Sequence, residues 1–214
     1  GYKNLIGNFY PPKKIFININ FLKTLSKSEI FSGMGEMAHY FFLSKENYNL
    51  FFDNLDNIVL LKHKILKKIL AQNLKIKKKF IEQDEFDNGK RLLLNFGHTF
   101  GHAIEKTTNF DCPHGLAVAH GIDMALFFSN YLGLLSNFKY EKMRRDIVKI
   151  SSFYRLKKIN IDKFIKNFSK DKKHSNNYYK VILTSGVGKM FIFKMPKNES
   201  FKIILKKYFD SHVN

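Results

Sequence analysis

The stretch LLLNFGHTFGHAIEK, Leu92 to Lys106, sets two glycine-histidine pairs four residues apart within a run of helical apolar spacing. Residues four apart share a helix face, so His98 and His102 would present both imidazoles on one side. Gly97 and Gly101 together cost about 2 kcal/mol of helix propensity relative to alanine, so a packing or ligand reason for them is expected. The spacing predicts one helix over 91–106. The next should follow Pro113-His114 and run through AVAHGIDMALFFSNYLGLL, with His114 turned inward at its start.

Working outward, Ser26 and Glu29 have capping-box spacing ahead of SGMGEMAHYFFLSKENY, which reads as helical. Apolar residues at three- and four-residue steps predict a further helix over 57–79, and others over 140–154, 161–168 and 200–209. On the N-terminal side, KKIFININ (Lys13 to Asn20) alternates apolar and polar residues behind Pro11-Pro12 and reads as a short strand. YYKVILT and KMFIFKM flank Ser185-Gly186-Val187-Gly188, a hairpin signal. The expected architecture is mainly α, a multi-helix domain with one short N-terminal strand and a C-terminal β-hairpin.

A chain of 214 residues with 44% apolar content can bury a good-sized core. Its one cysteine, Cys112, excludes an internal disulfide, and no signal peptide or apolar run of about 20 residues is present. A reducing, cytoplasmic setting with no membrane partner is expected. The formal charge of +19 raises the question of nucleic acid, but the cations are overwhelmingly lysine and spread along the whole chain. That distribution fits solvated lysines better than a nucleic-acid surface, so no nucleic-acid partner is expected.

Catalytic zinc sites commonly use three protein ligands drawn from His and carboxylates. His98, His102 and His114 are candidates, and Glu36 joins them as a lone carboxylate in the small, apolar stretch SGMGEMA. The same histidines could instead cap or pack helices. His120, in mid-helix, reads as a satisfied core histidine. Lys77, Arg91 and Asn95, with Glu85 and Asp87 nearby, form a group suited to phosphates and hydroxyls. Arg91, Asn95 and His102 would share roughly one helix face.

These blocks resemble the 3-dehydroquinate synthase family, zinc- and NAD-dependent sugar-phosphate cyclases. LLLNFGHTFGHAIE and PHGLAVAHGI are similar to its LNxGHTxGHAxE and HGEAVAxGM, while KNLIGNFYPP and SGMGEMAHY resemble two earlier blocks, GKNLIGAFxxP and SGxAEVIKY. The match is colinear from Lys3 to the hairpin. Members carry an N-terminal α/β NAD-binding domain of about 150 residues, and the resemblance implies that this chain is a C-terminal piece. Residues 1–25 would end that domain and 26–214 would form the helical metal- and substrate-binding domain.

The resemblance implies zinc, or cobalt, on Glu36, His98 and His114, the two histidines also bordering substrate. His102 would face substrate and move protons. Lys77, Arg91 and Asn95 would grip the substrate phosphate and carboxylate, with Lys77 also counted as catalytic, and Asp87 would stand where the family has a proton-accepting acid. Lys3 and Asn4 would contact cofactor and substrate, Phe21, Leu22, Lys23, Thr24 and Ser32 would edge the NAD site, and Lys172 or Lys173 would reach substrate. The activity implied is conversion of 3-deoxy-D-arabino-heptulosonate 7-phosphate to 3-dehydroquinate and phosphate by a homodimer, with the fragment inactive alone.

The chain departs from the pattern at four positions. His39 replaces a substrate-binding lysine, Leu116 a glutamate, His120 a small or aliphatic residue, and Tyr2 a glycine. His39 keeps open a related cyclase, of the 2-epi-5-epi-valiolone or 2-deoxy-scyllo-inosose synthase type. A non-catalytic basic binding or dimerisation module is the alternative of another class, against which the complete Glu-His-His set speaks.

Overall fold

The computed structural model describes residues 10, 12–86, 89–157, 159–170, 174–175 and 177–212. The expected Lys3, Asn4, Asp87, Lys172 and Lys173 positions lie outside the described residues, as does Tyr2. The elements run α1 (Lys27–Phe42), α2 (Tyr48–Phe52), α3 (Leu55–Val59), α4 (His63–Gln83), α5 (His98–Thr107), α6 (His114–Tyr131), α7 (Asn137–Ser151), α8 (Ile161–Phe168), β1 (Tyr178–Thr184), β2 (Met190–Pro196) and α9 (Glu199–His212). Among these residues the fold is mainly helical with one antiparallel hairpin, as expected. No described helix is long and apolar enough to cross a membrane.

The centre of the domain is α6, which is buried on nearly all sides and packs against α1, α5, α7, β1 and α9. A helix apolar all round must lie inside others, and glycines let its neighbours come close. A Cβ on Gly115 would run into the Ser32 carbonyl of α1, and one on Gly35 into the Gly115 carbonyl. On the other side, a Cβ on Gly121 would strike the Gly97 carbonyl at the head of α5. The two neighbours are thus held at backbone contact with α6.

The capping box that starts α1 is present: Glu29 N donates to Ser26 Oγ (3.3 Å) and Ser26 N to Glu29 Oε2 (2.7 Å). At its other end the hairpin tip closes the helix, Gly188 N donating to the Phe42 carbonyl at 2.8 Å. The hairpin itself pairs Tyr178 with Pro196 and Thr184 with Met190. It is tied to α6 where Thr184 N donates to Ser129 Oγ at 3.0 Å.

Three expectations need correction. Residues 13–18 form no strand, and Ile15, Phe16 and Ile17 stay exposed. Alternation specifies a strand only beside a partner, and the hairpin is the only sheet among the described residues. Instead Asn18 caps a 3₁₀ turn, Ile19–Thr24. The helix expected over 57–79 is split between α3 and α4 by Leu61, at φ 51°. The helix expected over 91–106 is likewise broken: Lys90–Asn95 is 3₁₀, and Gly97 at φ 81° turns the chain before α5 begins.

His120 behaves as a satisfied core group, its Nε2 lying 2.8 Å from the Tyr154 carbonyl. Burial pushes its pKa down to about 4, against the opposing hydrogen bonds to the Tyr154 and Ser151 carbonyls. A depressed imidazole gives stability that is present above its unfolded pKa and lost as pH falls towards the folded one. The domain is therefore expected to lose up to about 3 kcal/mol between pH 6.5 and 4 from this group. A His120→Gln variant should show a shallower fall of melting temperature over that interval.

The glycine contacts give a second expected outcome. Gly115→Ala should destabilise the domain by about 3 kcal/mol, at the upper end for overpacking, because backbone rather than a flexible side chain must move. Gly33→Ala, where a Cβ meets nothing within 4 Å, should be tolerated in the same thermal melts.

Candidate metal centre

Three helices each contribute one group. Glu36 sits mid-way along α1, His98 opens α5 after the Gly97 turn, and His114 opens α6 after Pro113. Glu36 Oε2 lies 3.4 Å from His98 Nε2 and 3.3 Å from His114 Nε2. One ligand atom from each falls within 4.8 Å of the others, a spacing that could hold a cation. The Glu36 Oε2 atom is buried and faces both imidazoles.

Electrostatics within the cluster are strongly coupled. Burial pushes the Glu36 carboxyl up, but hydrogen bonds from His114 and His98, with the charges of His39 and His98, outweigh it and leave the group far below the usual carboxylate range. Hydrogen bonds to Glu105 and then Glu36 raise His114 to about 9, against partial burial. His98 is oriented from behind by the Phe96 carbonyl, 3.4 Å from its Nδ1.

His102 stands beside this group without joining the Glu36 cluster. Its ring lies 5.7 Å from those of His98 and His114, stacked on the latter. His102, Glu105 and His114 make a second, overlapping set with cation-binding spacing. Sequence reasoning passed over Glu105, which is 6% exposed with its Oε2 3.1 Å from His114 Nδ1. The available signal was its place on the His98–His102 stripe, three residues after His102 in an apolar turn.

His39 points into the interior, 1% exposed, with its ring 4.7 Å from that of His98. Burial first, then the His98 charge, push it down to about 3, so it is neutral at pH 7. The Lys77 ammonium on α4 is near enough to add to that depression.

Arg91 and Asn95 do not share a helix face with His102. A 3₁₀ turn has three residues per turn, so a spacing of four does not align them, and the Gly97 turn separates them from α5. Arg91 Nη1 donates to the Glu85 carbonyl at 2.6 Å, and Asn95 Nδ2 to the Leu92 carbonyl at 3.0 Å. The loop is pinned by Asp84, whose Oδ2 accepts from Gly89 N and Arg91 N at 2.7 and 3.0 Å.

Phe21, Leu22, Lys23 and Thr24 form the 3₁₀ turn before α1, with Phe21 exposed. Ser32 is engaged within the domain, its Oγ accepting from Gly115 N at 3.0 Å.

Solved structures share this fold. ValA, the 2-epi-5-epi-valiolone synthase of Streptomyces hygroscopicus subsp. jinggangensis 5008, solved with NAD+ and Zn2+ bound, matches with a TM-score of 0.82 at 17% identity. The match covers 97% of this chain and 59% of that one. A 2-deoxy-scyllo-inosose synthase complexed with carbaglucose-6-phosphate, NAD+ and Co2+ matches with a TM-score of 0.82 at 23% identity over the same shares. The fold is thus shared with a part of each of these two synthases.

Sequence narrows this further. Residues 33–174 match the family model for the 3-dehydroquinate synthase C-terminal region. The chain is 39% identical over 207 residues to the 3-dehydroquinate synthase of Francisella tularensis subsp. tularensis (strain WY96-3418), covering 92% of this chain and 56% of that protein. It is 34% identical over 206 residues to that of Ruminiclostridium cellulolyticum (strain ATCC 35319 / DSM 5812 / JCM 6584 / H10), covering 96% of this chain and 57% of that protein. The chain belongs to the 3-dehydroquinate synthase family. It spans just over half the length of these curated relatives.

In the metal-free chain the His114 imidazole is expected to titrate near pH 9 by NMR. In Glu36→Gln its midpoint should fall. A raised imidazole gives stability present below pH 6.5 and lost as pH rises through about 9, so that variant should also flatten stability over the interval.

Proposed function

We propose that the chain forms the metal- and substrate-binding part of a 3-dehydroquinate synthase, a carbon–oxygen lyase of the shikimate route to chorismate and aromatic amino acids. Its reaction would convert 3-deoxy-D-arabino-heptulosonate 7-phosphate to 3-dehydroquinate and phosphate. The observation that carries this reading is the convergence of Glu36, His98 and His114 from three helices of a chain in this family. Residues 26–214 would be the metal- and substrate-binding domain and 1–25 the end of the NAD-binding domain. The exposed Ile15, Phe16, Ile17 and Phe21 are apolar surface that such a neighbour would cover. A cytoplasmic homodimer is the expected form of the whole enzyme.

The donor set fits a divalent ion. Two imidazole nitrogens and a buried carboxylate oxygen suit zinc or cobalt, and a metal would take the place of the protons between Glu36 Oε2 and the two Nε2 atoms. When bound, the metal supplies a Lewis acid for two adjacent substrate hydroxyls and NAD+ a transient hydride acceptor.

The chain's residues supply position and charge. His102, beside His98 and His114, would hold and return a proton at the substrate hydroxyls, and Asp87 would act as a second proton acceptor. Lys77, Arg91 and Asn95 would bind the phosphate and carboxylate, with Asn4 and Lys172 or Lys173 completing the pocket. Arg91 and Asn95 would exchange the Glu85 and Leu92 carbonyls for substrate oxygens. The substrate phosphate itself would serve as base for its own elimination, before ring opening and aldol closure. Lys3, Phe21, Leu22, Lys23, Thr24 and Ser32 would border NAD+.

The second reading, a cyclase of the valiolone or scyllo-inosose type, rests on His39. A neutral, buried imidazole offers this pocket no fixed cation. Protein carrying both domains, given NAD+ and zinc, should release phosphate from the heptulosonate phosphate. Release only from the substrate of another cyclase would select the second reading, and these 214 residues alone should release none. Glu36→Ala should remove bound zinc, measured by metal analysis, and full retention would contradict the ligand set.

A further inference from the structure

Within the metal site proposed above, on which this rests, we propose that Glu105 is a positioning residue for His114. Its carboxylate accepts a hydrogen bond from the Nδ1–H of His114, fixing the tautomer and ring plane that leave Nε2 free to bind the metal.

The His114 ring lies between two carboxylates. Its Nδ1 is 3.1 Å from Glu105 Oε2 of α5, and its Nε2 is 3.3 Å from Glu36 Oε2 of α1. Packing alone does not hold the ring, because its side chain is 42% exposed and sits on the first residue of α6. Glu105 is the more enclosed member of the pair: its side chain is 8% exposed and rises from the last turn of a largely buried helix. A carboxylate in that setting is costly unless it accepts a strong hydrogen bond, and an imidazole N–H supplies one.

The companion ligand is oriented differently. His98 Nδ1 faces the Phe96 carbonyl two residues away, so its orientation is set within its own turn. His114 Nδ1 instead faces a carboxylate carried by another helix. Carboxylate-to-imidazole contacts of this kind raise ligand basicity, and their loss typically weakens metal affinity by about 10–100-fold. The spacing of His102, Glu105 and His114 would also allow Glu105 to ligate directly, in which case His114 would bind through Nδ1.

The test uses the purified 214-residue chain, uniformly ¹⁵N-labelled and loaded with zinc. Long-range ¹H–¹⁵N correlation should show His114 with a proton on Nδ1 and metal on Nε2. Chelator competition should give zinc affinity about 10-fold lower for Glu105→Gln, which keeps a neutral acceptor, and about 100-fold lower for Glu105→Ala. The circular dichroism spectrum of metal-free Glu105→Gln should match that of the parent even where its melting temperature is lowered by loss of the ion pair with His114. Metal on Nδ1 would overturn the proposal in favour of direct ligation, and unchanged affinity in Glu105→Gln would overturn it outright. If the parent chain itself fails to bind zinc, the metal-site reading falls instead.

Discussion

Backbone contact between α6 and its two neighbours is the constraint on which the site depends. Gly115 and Gly35 bring α6 against α1, and Gly121 and Gly97 bring it against the head of α5. Side chains as short as Glu and His can meet across three helices only when the helices are this close. The same glycines that lower helix propensity therefore set the distances of Glu36, His98 and His114. Ser32 Oγ, accepting from Gly115 N, completes the join where α6 would otherwise leave an unpaired N–H.

Much of the helical layout was legible from periodicity because burial on one face leaves a 3.6-residue signature. α7, α8, the hairpin and α9 fall where apolar spacing and turn residues put them, give or take a few residues at their ends. The breaks were less legible. Leu61 takes a positive φ that no local residue preference announces, held by packing against the core. Gly97 was visible as an anomaly, yet its role as a turn depends on where Ile122 and Val118 of α6 lie, which a single sequence does not encode locally. The alternation in KKIFININ names a face but not the sheet that would cover it.

The site divides along similar lines. The His-His spacing marked α5 as chemical, but could not separate His98 from His102, since both lie on one stripe. The separation comes from Glu36, whose oxygen reaches His98 and His114. Arg91 and Asn95 were grouped with His102 on the assumption of one continuous helix, and the 3₁₀ geometry undoes that alignment while keeping them on the adjoining loop. Within a chain of net charge +19, the charged groups beside His114 are two carboxylates, Glu36 and Glu105. The lysine excess therefore surrounds this centre without defining it.

The bond from Gly188 N to the Phe42 carbonyl joins the tip of the C-terminal hairpin to the end of the helix that carries Glu36. Its partners lie far apart in the chain, so the contact is paid for in loop closure before it contributes anything. During synthesis α1 emerges well before the hairpin, and its C-terminus must wait for the hairpin to leave the ribosome before it is closed. The centre is in this sense timed by the hairpin, and a chain interrupted before it would present Glu36, His98 and His114 on a scaffold still open at one end.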